Sequence, residues 1–288
     1  MIFLRLVRPL HLFLAALTYT FGASLADYLG KPFRAESFWF GLVIVILIQG
    51  SMNLLSVIYR PQNEPLGPDE TRKNRQTLRN NLLYVSAASL GASAFIAYFL
   101  FNRDLFSLSS FLFLLFSLLI LIVYAIPPLR LLNRGFGEML IAIQLAYTIP
   151  SFSFTLQTDT THPFLALAIP LTFLAFAYFI VLDFQSFAQD QKYERVSLLT
   201  RLGWERVLPL HHVFILFAYI FFLAMPAFNL TLGVLASAFL TLPFALFQIY
   251  LLRNIALGAK PNWTLLHATG LSVFGLTTYF LTLTFWLR

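Results

Sequence analysis

The sequence predicts an all-α, polytopic membrane protein of nine transmembrane helices. Of its 288 residues, 59% are hydrophobic and only 11% charged, against roughly 25% charged in soluble domains. That leaves too little polar surface to cover a water-soluble globule. Nine apolar runs of bilayer-spanning length follow one another along the chain, and Lys and Arg gather in alternate connections between them. There is no cysteine, which removes disulfides, thiolate nucleophiles and Cys-ligated zinc or iron–sulfur sites together.

The runs are bounded by breakers and charges, as segments ending at water should be. The first, 9–29, opens after Arg8 and closes at Gly30-Lys31; the second, 37–59, stops at Arg60-Pro61. A polar stretch carrying Arg72, Lys73, Arg75 and Arg79 precedes the third, 80–101, and the fourth, 105–126, ends on Pro127-Pro128. The fifth, 136–156, follows Arg134-Gly135, and the sixth, 163–182, runs into Asp183. The seventh, 207–225, and the eighth, 228–251, are split near Pro226, and the ninth, 264–287, starts after Pro261. Arg5, Arg8, an apolar stretch and Ser24-Leu25-Ala26 also fit a cleavable signal peptide. Removing that segment would leave eight helices and break the alternation of basic connections, so it is read as the first helix.

Fifteen of the nineteen Lys and Arg fall on one side of this topology, leaving Lys31, Arg34, Arg103 and Arg288 on the other. The positive-inside rule then places the N-terminus in the cytoplasm and, with an odd number of helices, the C-terminus on the opposite side. The net charge of +7 is thus mostly a topology signal, and no basic stripe on a soluble face suggests nucleic acid. Two connections are long and polar, about 60–79 and 183–206. Each follows the second helix of a four-helix group, so helices 1–4 and 5–8 read as two related halves with helix 9 added. Membrane folds of this kind commonly place a site between the halves, here at the cytoplasmic face, where the long loops would meet.

The stretch LDFQSFAQDQK puts Asp183, Ser186 and Asp190 at spacings of three and seven, one face of a helix. Three oxygen-bearing side chains on one face suit a hard cation such as Mg²⁺, which bridges carboxylates to phosphates. A solvated helix end, its acids paired with Lys192 and Arg195, fits the same residues. A second stretch, YAIPPLRLLNRGFGE, ends one helix, makes a tight turn and starts another, with Tyr124, Arg130, Arg134 and Glu138 in it.

These stretches carry a resemblance. Arg8-Pro9 opening helix 1, Tyr124-x-x-Pro-Pro-x-Arg130 with Arg134-Gly135, and SLLTRLG at 197–203 are together similar, in order and spacing, to the UbiA superfamily of integral membrane prenyltransferases. The resemblance covers nearly the whole chain and implies a single domain, 1–288, with helices in a ring around a central apolar cavity, capped by the 2–3 and 6–7 loops. It implies transfer of an isoprenyl group from its diphosphate to an aromatic or other lipophilic acceptor, with Mg²⁺ as cofactor. The family's second acidic motif, DxxDxxxD, falls on Asp183, Ser186 and Asp190. The first, NDxxDxxxD, falls on NLLSVIYRP, where Leu54, Val57 and Pro61 stand at the acidic positions and Asn53 alone matches.

The resemblance therefore implies Asp183 and Asp190 as metal ligands, with Ser186 beside them and Asn53 supporting a phosphate or a metal-bound water. Two repairs of the lost motif are expected: Glu64 or Glu70 returns as a replacement ligand, or the basic residues Arg72, Lys73, Arg75, Arg130 and Lys192 meet the diphosphate charge directly. Tyr124 is a candidate aromatic face for an allylic cation. The competing readings are a relative that binds a lipid or isoprenoid without catalysis, having lost the first motif, and a transporter. Hardly any ionisable residue lies near the midplane, where transport sites sit, which disfavours the transporter.

Overall fold

The structure, a computed structural model, describes residues 6–60, Glu64 and residues 72–288, except for the side chains of Arg72 and Lys73. Among the described residues it is helical with no strand, and nine helices are long and apolar enough to cross a membrane. They are α1 (Pro9–Tyr28), α2 (Ala35–Ile58), α3 (Arg72–Asn102), α4 (Leu108–Ala125), α5 (Gly137–Thr158), α6 (Pro163–Lys192), α7 (Trp204–Phe228), α8 (Leu232–Ala256) and α9 (Trp263–Trp286).

Two helices outrun their apolar stretches. α3 begins at Arg72 rather than near 80, and α6 runs ten residues past 182 to Lys192. Gln, Lys and Arg are good helix formers, and Asn and Asp are tolerated within a helix, so polar turns extend a helix beyond the apolar segment. The expected 183–206 loop is correspondingly short: residues 193–197, then a single turn Leu198–Leu202 and Gly203.

α5 and α2 are the inner helices, 78% and 72% buried over their apolar windows, whereas α3 is only 17% buried and lies at the periphery. α1 packs against α2, α5 and α9; α6 packs against α5, α7 and α9. The second helices of the two halves, α2 and α6, both deliver side chains to one cavity.

Because lipid is as apolar as a leucine side chain, helices in a membrane associate through close packing and hydrogen bonds. α1 crosses α5 where a Cβ on Gly22 would lie 2.1 Å from the Pro150 carbonyl oxygen, so only glycine permits the approach. Gln144 Nε2 donates to Ser117 Oγ at 2.6 Å between α5 and α4, and Tyr19 Oη donates to the Phe38 carbonyl at 2.9 Å between α1 and α2. Single π-turns interrupt α5 at Gln144–Thr148 and α9 at Ser272–Leu276. At the end of the bundle remote from the cavity, Arg34 forks onto Asp159 at 2.8 and 2.6 Å. That carboxylate holds the Arg34 guanidinium above its ordinary range.

Candidate functional site

One end of the bundle holds a polar cavity of about 340 Å³, walled by α1, α2, α4, α5, α6 and the connections that follow α2, α4 and α6. Four guanidinium groups, Arg8, Arg60, Arg130 and Arg195, and four carboxyl groups, Glu64, Glu138, Asp183 and Asp190, line it. Neutral walls come from Tyr124, Phe179 and Leu182, among others.

Local structure explains how these charges come together. Arg8 precedes Pro9 and adopts φ 54°, a left-handed conformation that a non-glycine residue takes only when its surroundings enforce it. Asn53 Nδ2 donates to the Val7 carbonyl at 2.8 Å, and the His11 amide donates to the Arg8 carbonyl at 2.9 Å, fixing that turn. Arg8 and Tyr124 both line the cavity. Arg130 is likewise left-handed, at φ 35°, in the turn leaving α4. The 4–5 and 6–7 connections are tied together where the Gly135 amide donates to Val196 O at 2.9 Å and Arg201 Nη1 donates to Arg134 O at 2.7 Å. Gly135, at φ 75° with Arg201 and Ser197 against it, has no room for a side chain.

Glu64, only 2% exposed, is gripped from two helix ends: Arg195 Nε donates to it at 2.7 Å and Arg60 Nη1 pairs with it at 2.8 Å. Burial and the neighbouring Arg8, Arg195 and Arg130 push Arg60 down to about 10, against the opposing pull of Glu64, and it stays charged at neutral pH. Burial lowers Arg130 as well, although Glu64 counters this. Asp190 accepts from Ser186 Oγ at 2.9 Å and from Arg195 Nη1 at 3.2 Å. Asp183 faces Glu138, and Asp183 Oδ2 and Glu138 Oε2 are both buried without a hydrogen-bond partner among the described residues.

The expected site residues divide accordingly. Asp183, Asp190, Ser186, Arg130, Tyr124 and Glu64 line the cavity. Asn53 is fully buried, is not among the residues lining the cavity, and braces the start of α1. Lys192 points outward over the Tyr193 ring at 5.3 Å, because α6 turns it away from the face carrying Asp183 and Asp190. Arg75, in the first turn of α3, lies outside the cavity wall. Glu70 and the side chains of Arg72 and Lys73 lie outside the described residues. Asp190 has both the partners expected of a metal-site neighbour and the Arg195 ion pair expected of a helix end.

Four charged lining residues were not singled out as site residues from sequence: Arg8, Arg60, Glu138 and Arg195. A signal for Arg60 was present, since it stands within NLLSVIYRP, the stretch on which the first motif falls. Glu138 carried none beyond its place in the 4–5 turn. Among the described residues no three His, Asp or Glu side chains converge as a ready-made metal cage. Mg²⁺, however, is commonly held by one or two carboxylates with phosphates and waters, and the unpartnered buried oxygens of Asp183 and Glu138 fit that donor set.

A second, mostly apolar cavity of about 300 Å³ lies between α1, α6 and α9 and shares Arg8, His11 and Leu182 with the polar one.

The structure is thus a helical membrane bundle with an arginine- and carboxylate-lined cavity at one end, adjoining a mostly apolar one. The model of the UbiA prenyltransferase family matches residues 15–270, and the chain belongs to that family. It is an integral, multi-pass membrane protein. Its fold is similar to that of a UbiA homologue from Archaeoglobus fulgidus bound to GPP and Mg²⁺, with a TM-score of 0.71, 16% identity and 99% of both chains covered. The same homologue bound to DMAPP and Mg²⁺ gives a TM-score of 0.69, 16% identity, and 96% and 99% coverage of this chain and that one. The apo structure of a UbiA homologue from Aeropyrum pernix K1 gives 0.61, 14% identity, and 91% and 96% coverage. No protein of curated function matches the chain significantly.

Proposed function

We propose that this protein is a Mg²⁺-dependent membrane prenyltransferase, a single domain over 1–288, that takes an isoprenyl diphosphate as donor and a lipophilic acceptor. The observation that carries the reading is the polar cavity itself, with four guanidinium groups beside a buried carboxylate that keeps one oxygen free. The described acids and bases of the wall balance four against four, so an incoming diphosphate needs added cation or release of an acid. The solved homologues whose names include GPP, DMAPP and Mg²⁺ support the choice of donor and metal.

In this reading the diphosphate lies among Arg8, Arg60, Arg130 and Arg195. Guanidinium groups match phosphate oxygens bidentately. Where a phosphate displaces Glu64 from Arg60 and Arg195, they supply part of the positive charge that the missing first acidic motif would otherwise recruit as metal. Asp183 holds the cation, and Asp190 with Ser186 aims Arg195 into the cavity. Mg²⁺, when bound, stabilises the negative charge that develops on the departing diphosphate. The isoprenyl tail extends past His11 and Leu182 into the adjoining apolar cavity. As the allylic C–O bond breaks, the faces of Tyr124 and Phe179 stabilise the developing cation by about 0.5–2 kcal/mol each when desolvated, and exclusion of water prevents hydrolysis. The basic connections support a cytoplasmic position for this end of the bundle and for the N-terminus.

The loss of the first motif supports a second reading, a relative that binds an isoprenoid without transferring it. Binding of labelled geranyl diphosphate to the detergent-purified protein, with and without Mg²⁺, tests the site, using Asp183→Asn as the control variant. Mg²⁺-dependent binding that Asp183→Asn abolishes is expected. Transfer to a lipophilic acceptor then separates enzyme from binder, and the absence of any diphosphate binding would remove both.

A further inference from the structure

We propose that Glu138 is a ligand of the divalent cation, paired with Asp183 across the interface of α5 and α6, so that the cation site spans two helices instead of following one face of α6. The proposal rests on the Mg²⁺-dependent reading above. Its evidence lies in how the four carboxyl groups of the cavity are occupied.

Glu64 is consumed by Arg60 and Arg195, and Asp190 by Ser186 and Arg195. Asp183 and Glu138 instead face each other. Glu138 is only 7% exposed and lines the cavity from the first turn of α5. One of its oxygens, Oε1, is anchored by the Leu198 amide at 3.3 Å, whereas Oε2 is buried without a partner among the described residues, as is Asp183 Oδ2. Two carboxylates held face to face in a buried site repel each other unless a shared proton or a cation lies between them, and a divalent cation displaces that proton when it binds. Arg60 and Arg195 are directed to Glu64, and among the described residues no arginine hydrogen-bonds Asp183 Oδ2 or Glu138 Oε2. What remains is a pair of free carboxylate oxygens opening on a cavity with room for water and phosphate, the environment Mg²⁺ takes. The Leu198 anchor also couples the site to the 6–7 connection, which carries Arg195.

The test is Mn²⁺ binding to the full-length, detergent-purified protein, followed by electron paramagnetic resonance with and without geranyl diphosphate. Glu138→Gln keeps an oxygen to accept from the Leu198 amide, and equal thermal midpoints in EDTA would verify its fold. Glu138→Gln and Asp183→Asn should each weaken Mn²⁺ binding at least about tenfold, while Asp190→Asn changes it much less. Wild-type affinity in Glu138→Gln would overturn the proposal, as would an equal loss in Asp190→Asn, which would return the site to the face of α6. If the wild type binds geranyl diphosphate but never Mn²⁺, this inference fails while the donor reading stands. If it binds neither, both fail.

Discussion

Glu64 and Arg195 are locked together, Arg195 Nε donating to the carboxylate at 2.7 Å while Arg60 holds the same carboxylate at 2.8 Å. The chain therefore places a negative group of its own among the guanidiniums that a diphosphate would use. A carboxylate in that position competes with the substrate's phosphates rather than recruiting metal for them. Glu64→Gln should accordingly tighten the binding of geranyl diphosphate several-fold at low salt, while costing about 1–3 kcal/mol of stability as two charged hydrogen bonds weaken. Equilibrium binding and thermal unfolding on the same sample read both effects. Weaker diphosphate binding in the variant would mean that Glu64 works as a metal ligand after all.

Arg60 and Arg195 should then each matter to the anion. A hydrogen bond to a charged group is worth about 1.5–3 kcal/mol, so Arg60→Gln or Arg195→Gln is expected to weaken geranyl diphosphate binding by about one to two orders of magnitude. The same titration, repeated at rising ionic strength, should show a shallower salt dependence in the variants than in the wild type.

Asn53 acts on the site from behind. Its side chain holds the Val7 carbonyl, and with it the left-handed turn at Arg8. Asn53→Ala should cost about 0.5–1.5 kcal/mol through loss of the bond to the part-buried Val7 carbonyl and weaken diphosphate binding by misplacing Arg8. Because Asn53 touches no ligand in this account, the affinity of Mn²⁺ alone should hardly change. A large loss there would show that Asn53 reaches the metal.

Gly22 offers a test of the fold away from the site. A methyl group there would meet the Pro150 backbone at 2.1–2.9 Å, and backbone cannot yield as a flexible side chain does. Gly22→Ala should destabilise the protein by about 1–3 kcal/mol, read as a lower thermal midpoint in detergent.

The Arg34–Asp159 fork serves as the contrasting control. Both side chains are about one-third or more exposed, so solvent screening limits the pair to about 0.2–1 kcal/mol. Asp159→Asn should leave diphosphate binding unchanged and shift the thermal midpoint little.

Much of the architecture is legible in the chain because a bilayer imposes a simple rule. Backbone groups in lipid must bond within their own helix, so each apolar run had to be a spanning helix, and the breakers between runs had to be connections. Asp183, Ser186 and Asp190 could be placed on one helix face by spacing alone, and Tyr124 and Arg130 by their turn. The polar ends were harder to read: hydropathy stops at the last apolar residue, while helical hydrogen bonding carried α6 on to Lys192 and turned that lysine away from the cavity. Partner choice was harder still. Nothing local told that Asn53 would brace the Arg8 turn, that Asp190 would be divided between Ser186 and Arg195, or that Glu64 would cross the cavity mouth to Arg195, 131 residues away.

The sequence by itself determined a nine-helix membrane protein with its chemistry gathered at one end, because helix formation in lipid and the placement of basic residues depend on local composition. Only the tertiary structure decided which carboxylates keep free oxygens and which are spent on arginines. That outcome depends on the packing of α1, α2, α5 and α6 around one cavity, where burial forces each charge to find a partner across the bundle.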